Sequence, residues 1–175
     1  ISSDVIKVWS KILKNSNCEL YLKNSSGYNK ELYDNLKKKF EKEKVDLKNI
    51  FFLKRSEKNE FMKDYHKIDV ALDTFPYPGV TTSFQAYLMG VPVLTMRGFN
   101  FNSRCGESIN INLGLNKFIA KNNEDYFKKS IELQEKKKLI HLRSILRKKG
   151  LDSPLFDTDN FSKNLMAVFN KVVKS

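Results

Sequence analysis

Two adjacent threonines, Thr81 and Thr82, stand just past a loop that carries Pro76, Pro78 and Gly79. If a helix starts there, free backbone N–H groups, two hydroxyls and the positive end of the helix dipole converge on one point. Such a point favours an anion, and a diphosphate fits it best. The plainer alternative is that one threonine merely caps the helix. Composition weighs against that alternative: residues 74–96 contain no acidic side chain, although charged residues make up 30% of the chain. Nothing in the segment repels a negative ligand.

The elements that must position this loop follow from hydrophobic spacing. Val70, Ala71 and Leu72 form an apolar run too short for a helix, and Asp73 ends it where an open α/β sheet places its ligand. The pattern predicts a strand over 69–72, a helix over 82–89 stopped by Gly90 at its C′ position, and a strand over 92–96. Upstream, Val5, Val8, Trp9, Ile12 and Leu13 recur at helical spacing, followed by a strand over 19–22 and a turn over 24–28. A helix with Leu32, Leu36 and Phe40 inward, a strand over 50–53 and a helix over 57–65 complete that half. Downstream come a helix over 103–112, a short strand before Ala120, and a helix capped by Asn122 with Phe127, Ile131 and Leu133 inward. A basic helix then runs to about Lys149. The last helix, over 158–173, carries Phe161, Leu165, Val168, Phe169 and Val172 as one stripe, to pack on the domain or on a neighbour.

Strands alternating with helices predict an α/β fold, a Rossmann-like parallel sheet with helices on both faces. Neither G-x-G-x-x-G nor G-x-x-x-x-G-K-[ST] occurs, which argues against a dinucleotide oxidoreductase and an ordinary P-loop NTPase. At 175 residues with 41% hydrophobic content, one lobe spanning 1–175 is expected, and the start at Ile1 suggests a piece of a longer polypeptide. Cys18 and Cys105 have no metal-like spacing, and no signal peptide or apolar span is evident, so a reducing cytoplasm is the expected setting. The net charge of +12 is scattered in groups such as 37–39, 136–138 and 147–149, mostly alternating with Glu or Asp. A solvated basic surface ranks well above nucleic-acid binding.

ALDTFPYPGVTT, MGVPVLTM, NSRCGESI with LGLNKFIAKNNEDY, and SPLFDT before the last helix resemble the C-terminal catalytic lobe of the O-linked N-acetylglucosamine transferases, including bacterial and Spindly-type relatives. The resemblance covers nearly the whole chain. It implies the C-terminal lobe of a GT-B glycosyltransferase, inverting and metal-independent, that moves N-acetylglucosamine from UDP to protein Ser or Thr. No cofactor is implied beyond the UDP-sugar donor. An N-terminal GT-B lobe, helical repeats and a protein acceptor are the implied partners. Carried over by position, Thr81 and Thr82 meet the diphosphate, and Gly79 and Val80 belong to the same turn. Lys58 lies near the base with Ser56 and Glu57 beside it, and Gln85 stands where relatives place an acidic residue on the ribose.

Departures matter as well. Phe61 replaces a histidine that touches the nucleotide sugar in many relatives, and phenylalanine donates no hydrogen bond. His66 reads as structural and His141 as a solvated surface residue. Ser103 and Arg104 approach the cleft from the next loop, although an Arg104–Glu107 ion pair is at least as good a reading. The catalytic residues are expected in the N-terminal lobe, so the chain alone should show little turnover. The alternative is a degenerate, non-catalytic nucleotide-sugar-binding or interaction module.

Overall fold

The computed structural model of the protein describes residues 1–23 and 29–173, with the side chain of Lys58 outside that description. The turn expected over 24–28 also lies outside the described residues. Helix α1 (Ser3–Lys14) opens where the Ser2 hydroxyl accepts the Val5 N–H, with Asp4 in its first turn and Lys11 and Lys14 in its last. Those charges complement the helix dipole. Its inner face buries Val5, Val8, Trp9, Ile12 and Leu13, as the spacing predicted.

Strand β1 (Leu20–Lys23) pairs in parallel with β2 (Ile50–Leu53), and α2 (Lys30–Lys42) connects them. The inner face of α2 is turned one residue from the expected one. Tyr33, Leu36 and Phe40 are buried, whereas Leu32 is exposed. Tyr33 wins the position because it does two things there. Its ring packs on Phe52 at 4.8 Å, and its hydroxyl donates to the Leu53 carbonyl at 3.2 Å.

Helix α3 (Lys58–Asp64) leads to β3 (Ala71–Leu72), α4 (Thr81–Leu88) and β4 (Val93–Met96). Helix α5 (Cys105–Asn112), β5 (Ile119–Ala120) and α6 (Asn123–Glu132) follow. Strands β3, β4 and β5 lie side by side in that order, all parallel. Period-2 alternation splits their side chains between two hydrophobic cores. Leu72, Leu94 and Ala120 join residues of α1, α2 and α6, while Ala71 and Val93 join Ala86 and Tyr87 of α4 and Ile109 of α5. Helices therefore cover both faces of the parallel sheet, as expected. Tyr126 and Ser130 supply the buried positions of α6, and the expected Phe127, Ile131 and Leu133 are only partly covered. The Asn122 cap forms as predicted, accepting from the Asp125 N–H at 2.9 Å.

Helix α7 (Lys136–Leu151) fixes α4 from behind. Leu146 enters the second core, and Arg147 donates to the Leu88 carbonyl at the C-terminal end of α4 at 2.7 Å. Gly90 closes α4 at φ +73°, a left-handed conformation that favours glycine. The last helix, α8 (Thr158–Val173), departs from one expectation: none of its residues is buried, and Phe161 is 65% exposed. Its apolar stripe does not pack on this lobe.

Candidate functional site

Asp73 extends the β3 ladder by donating its N–H to the Leu94 carbonyl at 2.9 Å, and its side chain is 8% exposed. One carboxylate oxygen accepts the Gly79 N–H at 2.6 Å and the other accepts the Thr95 hydroxyl of β4 at 2.9 Å. Burial pushes the carboxyl up to about 6, against the downward pull of the Gly79, Thr95 and Thr74 donors. Among the described residues no lysine or arginine contributes to that balance. From α6, the Tyr126 hydroxyl donates to the Asp73 carbonyl at 2.9 Å. The sequence places Asp73 at the ligand edge but gives it no role. Its signal is an ionisable residue directly at the end of an apolar strand.

The Asp73 contact bends loop 74–80 back to the sheet. The Thr74 hydroxyl donates to the Tyr77 carbonyl at 2.6 Å, and Ser83 of α4 donates its hydroxyl to the Gly79 carbonyl at 2.9 Å. Gly79 is required by close approach, since a Cβ there would stand 2.3 Å from the Thr82 hydroxyl oxygen. Helix α4 begins immediately afterwards. Its N-cap is Val80, which offers no hydrogen-bonding side chain, and the first backbone bond back to the cap comes from the Phe84 N–H. Neither threonine serves as the cap. Thr81 and Thr82 occupy the first two helical positions, both exposed, with backbone donors that have no place in the helical ladder. Such a terminus can accept an anion. Gln85 lies one turn on, half-buried, and its side chain makes no hydrogen bond among the described residues.

Ser56 comes from the loop after β2, on the flank of α3. It accepts a hydrogen bond from Lys23 Nζ at 2.5 Å, and the same ammonium forms an ion pair with Asp64 and lies 4.8 Å above the Phe61 ring. Phe61 meets Tyr65 edge-on at 5.7 Å, and the Tyr65 hydroxyl donates to the Thr82 carbonyl at 3.1 Å. The Ser56 loop and the threonine pair are thus joined through Lys23, Phe61 and Tyr65. Burial raises the Tyr65 hydroxyl to about 12, so it remains a donor at neutral pH. The sequence gives no hint of Lys23 or Tyr65, because one more lysine or tyrosine carries no pattern. Lys58 opens α3 as its first residue, and its side chain lies outside the described residues. His66 is exposed in the turn after α3, which does not bear out a structural role, and His141 is exposed on α7 as expected.

The loop after β4 is closed on itself. Ser103 is buried and exchanges hydrogen bonds with Asn100, so it does not reach the cleft. Arg104 donates to Glu107 at 2.8 Å, the ion-pair reading, and Arg97 holds the other oxygen at 2.6 Å. Among the described residues no group of three or more His, Cys, Asp or Glu stands close enough to hold a metal, and no helix is long and apolar enough to cross a membrane.

A parallel α/β sheet with helices on both faces and an open helix N-terminus at its carboxyl edge defines a Rossmann-like lobe. Residues 1–165 match the profile of glycosyl transferase family 41, and the chain belongs to that family. It is 29% identical over 98% of its length to the probable UDP-N-acetylglucosamine–peptide N-acetylglucosaminyltransferase SPINDLY of Solanum lycopersicum, covering 19% of that protein. It is 33% identical over 70% of its length to the SEC protein of Arabidopsis thaliana, with the same probable activity, covering 13% of it. A solved mutant of the Thermobaculum terrenum O-GlcNAc transferase superimposes with a TM-score of 0.90 at 28% identity, over 98% of this chain and 33% of that one. The chain thus spans a fifth or less of these curated relatives and matches their C-terminal, GT-B-type lobe.

Proposed function

We propose that the chain is the donor-binding lobe of an inverting, metal-independent glycosyltransferase that moves N-acetylglucosamine from UDP to protein serine or threonine. The observation that carries this reading is the uncapped N-terminus of α4, with Thr81 and Thr82 exposed at the carboxyl edge of the sheet. The donor diphosphate sits against the free N–H groups and the two hydroxyls. Ser56 and Lys58 flank the base, Gly79 and Val80 form the turn, and Gln85 reaches the ribose. An acceptor hydroxyl attacks the anomeric carbon from the face opposite UDP, its proton passing to a base in the N-terminal lobe. As the glycosidic bond to UDP breaks, negative charge grows on the diphosphate, and preorganised donors stabilise it more in the transition state than in the ground state. The working protein is cytoplasmic, with an N-terminal GT-B lobe and helical repeats as partners in the same polypeptide.

One observation favours a second reading, a non-catalytic nucleotide-sugar-binding module. Phe61 is engaged by Lys23 and Tyr65 and supplies no hydrogen bond to a sugar. Incubating the full-length protein with radiolabelled UDP-N-acetylglucosamine and a serine-rich acceptor protein separates the two. Transfer undiminished by EDTA supports the enzyme; UDP binding without transfer supports the module. Failure to bind UDP overturns both.

A further inference from the structure

Resting on the donor-site reading above, we propose that Asp73 is a positioning residue for the donor, its carboxylate fixing loop 74–80 so that Thr81 and Thr82 present their N–H groups to the diphosphate. An ionised carboxylate only accepts hydrogen bonds, and each partner around this one is a donor. Gly79 reaches one oxygen through its N–H, Thr95 reaches the other through its hydroxyl, and the Thr74 N–H adds to them. Two glycines make room. A Cβ on Gly106, at the start of α5, would lie 2.9 Å from one oxygen of Asp73, and a Cβ on Gly79 would lie 3.5 Å from the other.

The Gly79 residue is held from both sides, its N–H by the strand end and its carbonyl by the Ser83 hydroxyl in the first turn of α4. The position of Asp73 is thereby transmitted to the helix start through two hydrogen bonds. The other side chains facing Asp73 are Tyr87 from α4, Thr95 from β4 and Tyr126 from α6, all neutral at ordinary pH. A buried carboxylate without a cation is expensive, and a core that only needed a tie between β3 and β4 would manage with a neutral side chain. The charge-assisted acceptor at Gly79 is what a neutral tie lacks.

The test is donor KM and kcat in the full-length protein carrying Asp73→Asn, Asp73→Leu or Asp73→Ser. Asparagine keeps an acceptor for Gly79 but not its charge, and the Thr95 hydroxyl can turn to accept, so donor KM should rise only about threefold, between wild type and leucine. Leucine and serine lose the acceptor at Gly79. Donor KM should rise about tenfold or more, the loss expected for a charge-assisted hydrogen bond, while acceptor KM is unchanged. Folded leucine and serine variants with wild-type donor KM would overturn the proposal, as would an asparagine variant as impaired as leucine. Amide exchange gives a readout that needs no variant: in the donor-free wild type the Gly79 N–H should exchange slowly, and rapid exchange would contradict a loop set in advance. Wild type that binds no nucleotide sugar at all would instead refute the donor-site reading.

Discussion

Two carboxylates are buried at the carboxyl edge of the sheet, and their surroundings push them in opposite directions. Asp73 is 8% exposed and Glu107 is 2% exposed. At Glu107, desolvation pushes the carboxyl up, but hydrogen bonds and charge from Arg104 and Arg97 outweigh it and hold the group below its ordinary range. At Asp73 the partners are neutral donors, desolvation prevails, and the carboxyl rises to about 6. Burial alone therefore does not determine ionisation; the kind of partner does. Glu107 pins a loop with ion pairs, while Asp73 ties the loop before α4 through neutral donors.

Removing the cations should abolish the difference. The double substitution Arg97→Met with Arg104→Met leaves Glu107 buried and unpaired, and destabilisation of about 3–5 kcal/mol is expected in urea unfolding. The sign of its pH dependence should also invert. In wild type the lowered carboxyl contributes stability above its unfolded value, and this is lost as pH falls through the folded one. In the double variant the raised carboxyl makes stability increase as pH falls.

Neutralising Asp73 should act the other way. Its folded value exceeds its unfolded one, so the favourable contribution is full below about 4 and is lost as pH rises through about 6. Asp73→Asn is expected to stabilise the protein by roughly 1–3 kcal/mol at pH 7 and to flatten the stability profile between pH 4 and 7, measured by thermal unfolding. A stability at pH 7 no higher than wild type would show that the carboxylate is better compensated than its partners indicate.

Much of this arrangement is legible in the sequence, and the boundary has physical causes. The strand, loop and helix around Thr81 and Thr82 are readable because prolines, glycine and apolar runs restrict the backbone locally. The threonine cap is not decidable from residue type, since the same hydroxyl can close a helix or face outward; only the backbone shows Val80 at the cap. The face of α2 is missed because Leu32 and Tyr33 are both credible core residues, and the choice rests on contacts with Phe52 and Leu53 across the fold. The link from Lys23 through Phe61 to Tyr65 is likewise long-range: Lys23 and Phe61 are 38 positions apart, and lysine is common in this chain.

That link provides a smaller test of how rigidly the threonine pair is held. Tyr65→Phe removes one hydrogen bond, to the Thr82 carbonyl, and should cost about 1 kcal/mol in stability with at most a threefold loss of UDP affinity. A loss as large as that of the Asp73→Leu variant would mean that the helix start is positioned from the α3 side rather than from the strand end.

The most direct measurement is calorimetric titration of the full-length protein, wild type and Thr82→Val, with UDP and with uridine at pH 7.5. Valine keeps the shape of threonine and deletes only the hydroxyl. UDP should bind wild type far more tightly than uridine does, and Thr82→Val should weaken UDP about tenfold or more while leaving uridine unchanged. Equal affinity of both proteins for UDP, or uridine binding as tightly as UDP, would contradict a diphosphate held at the start of α4.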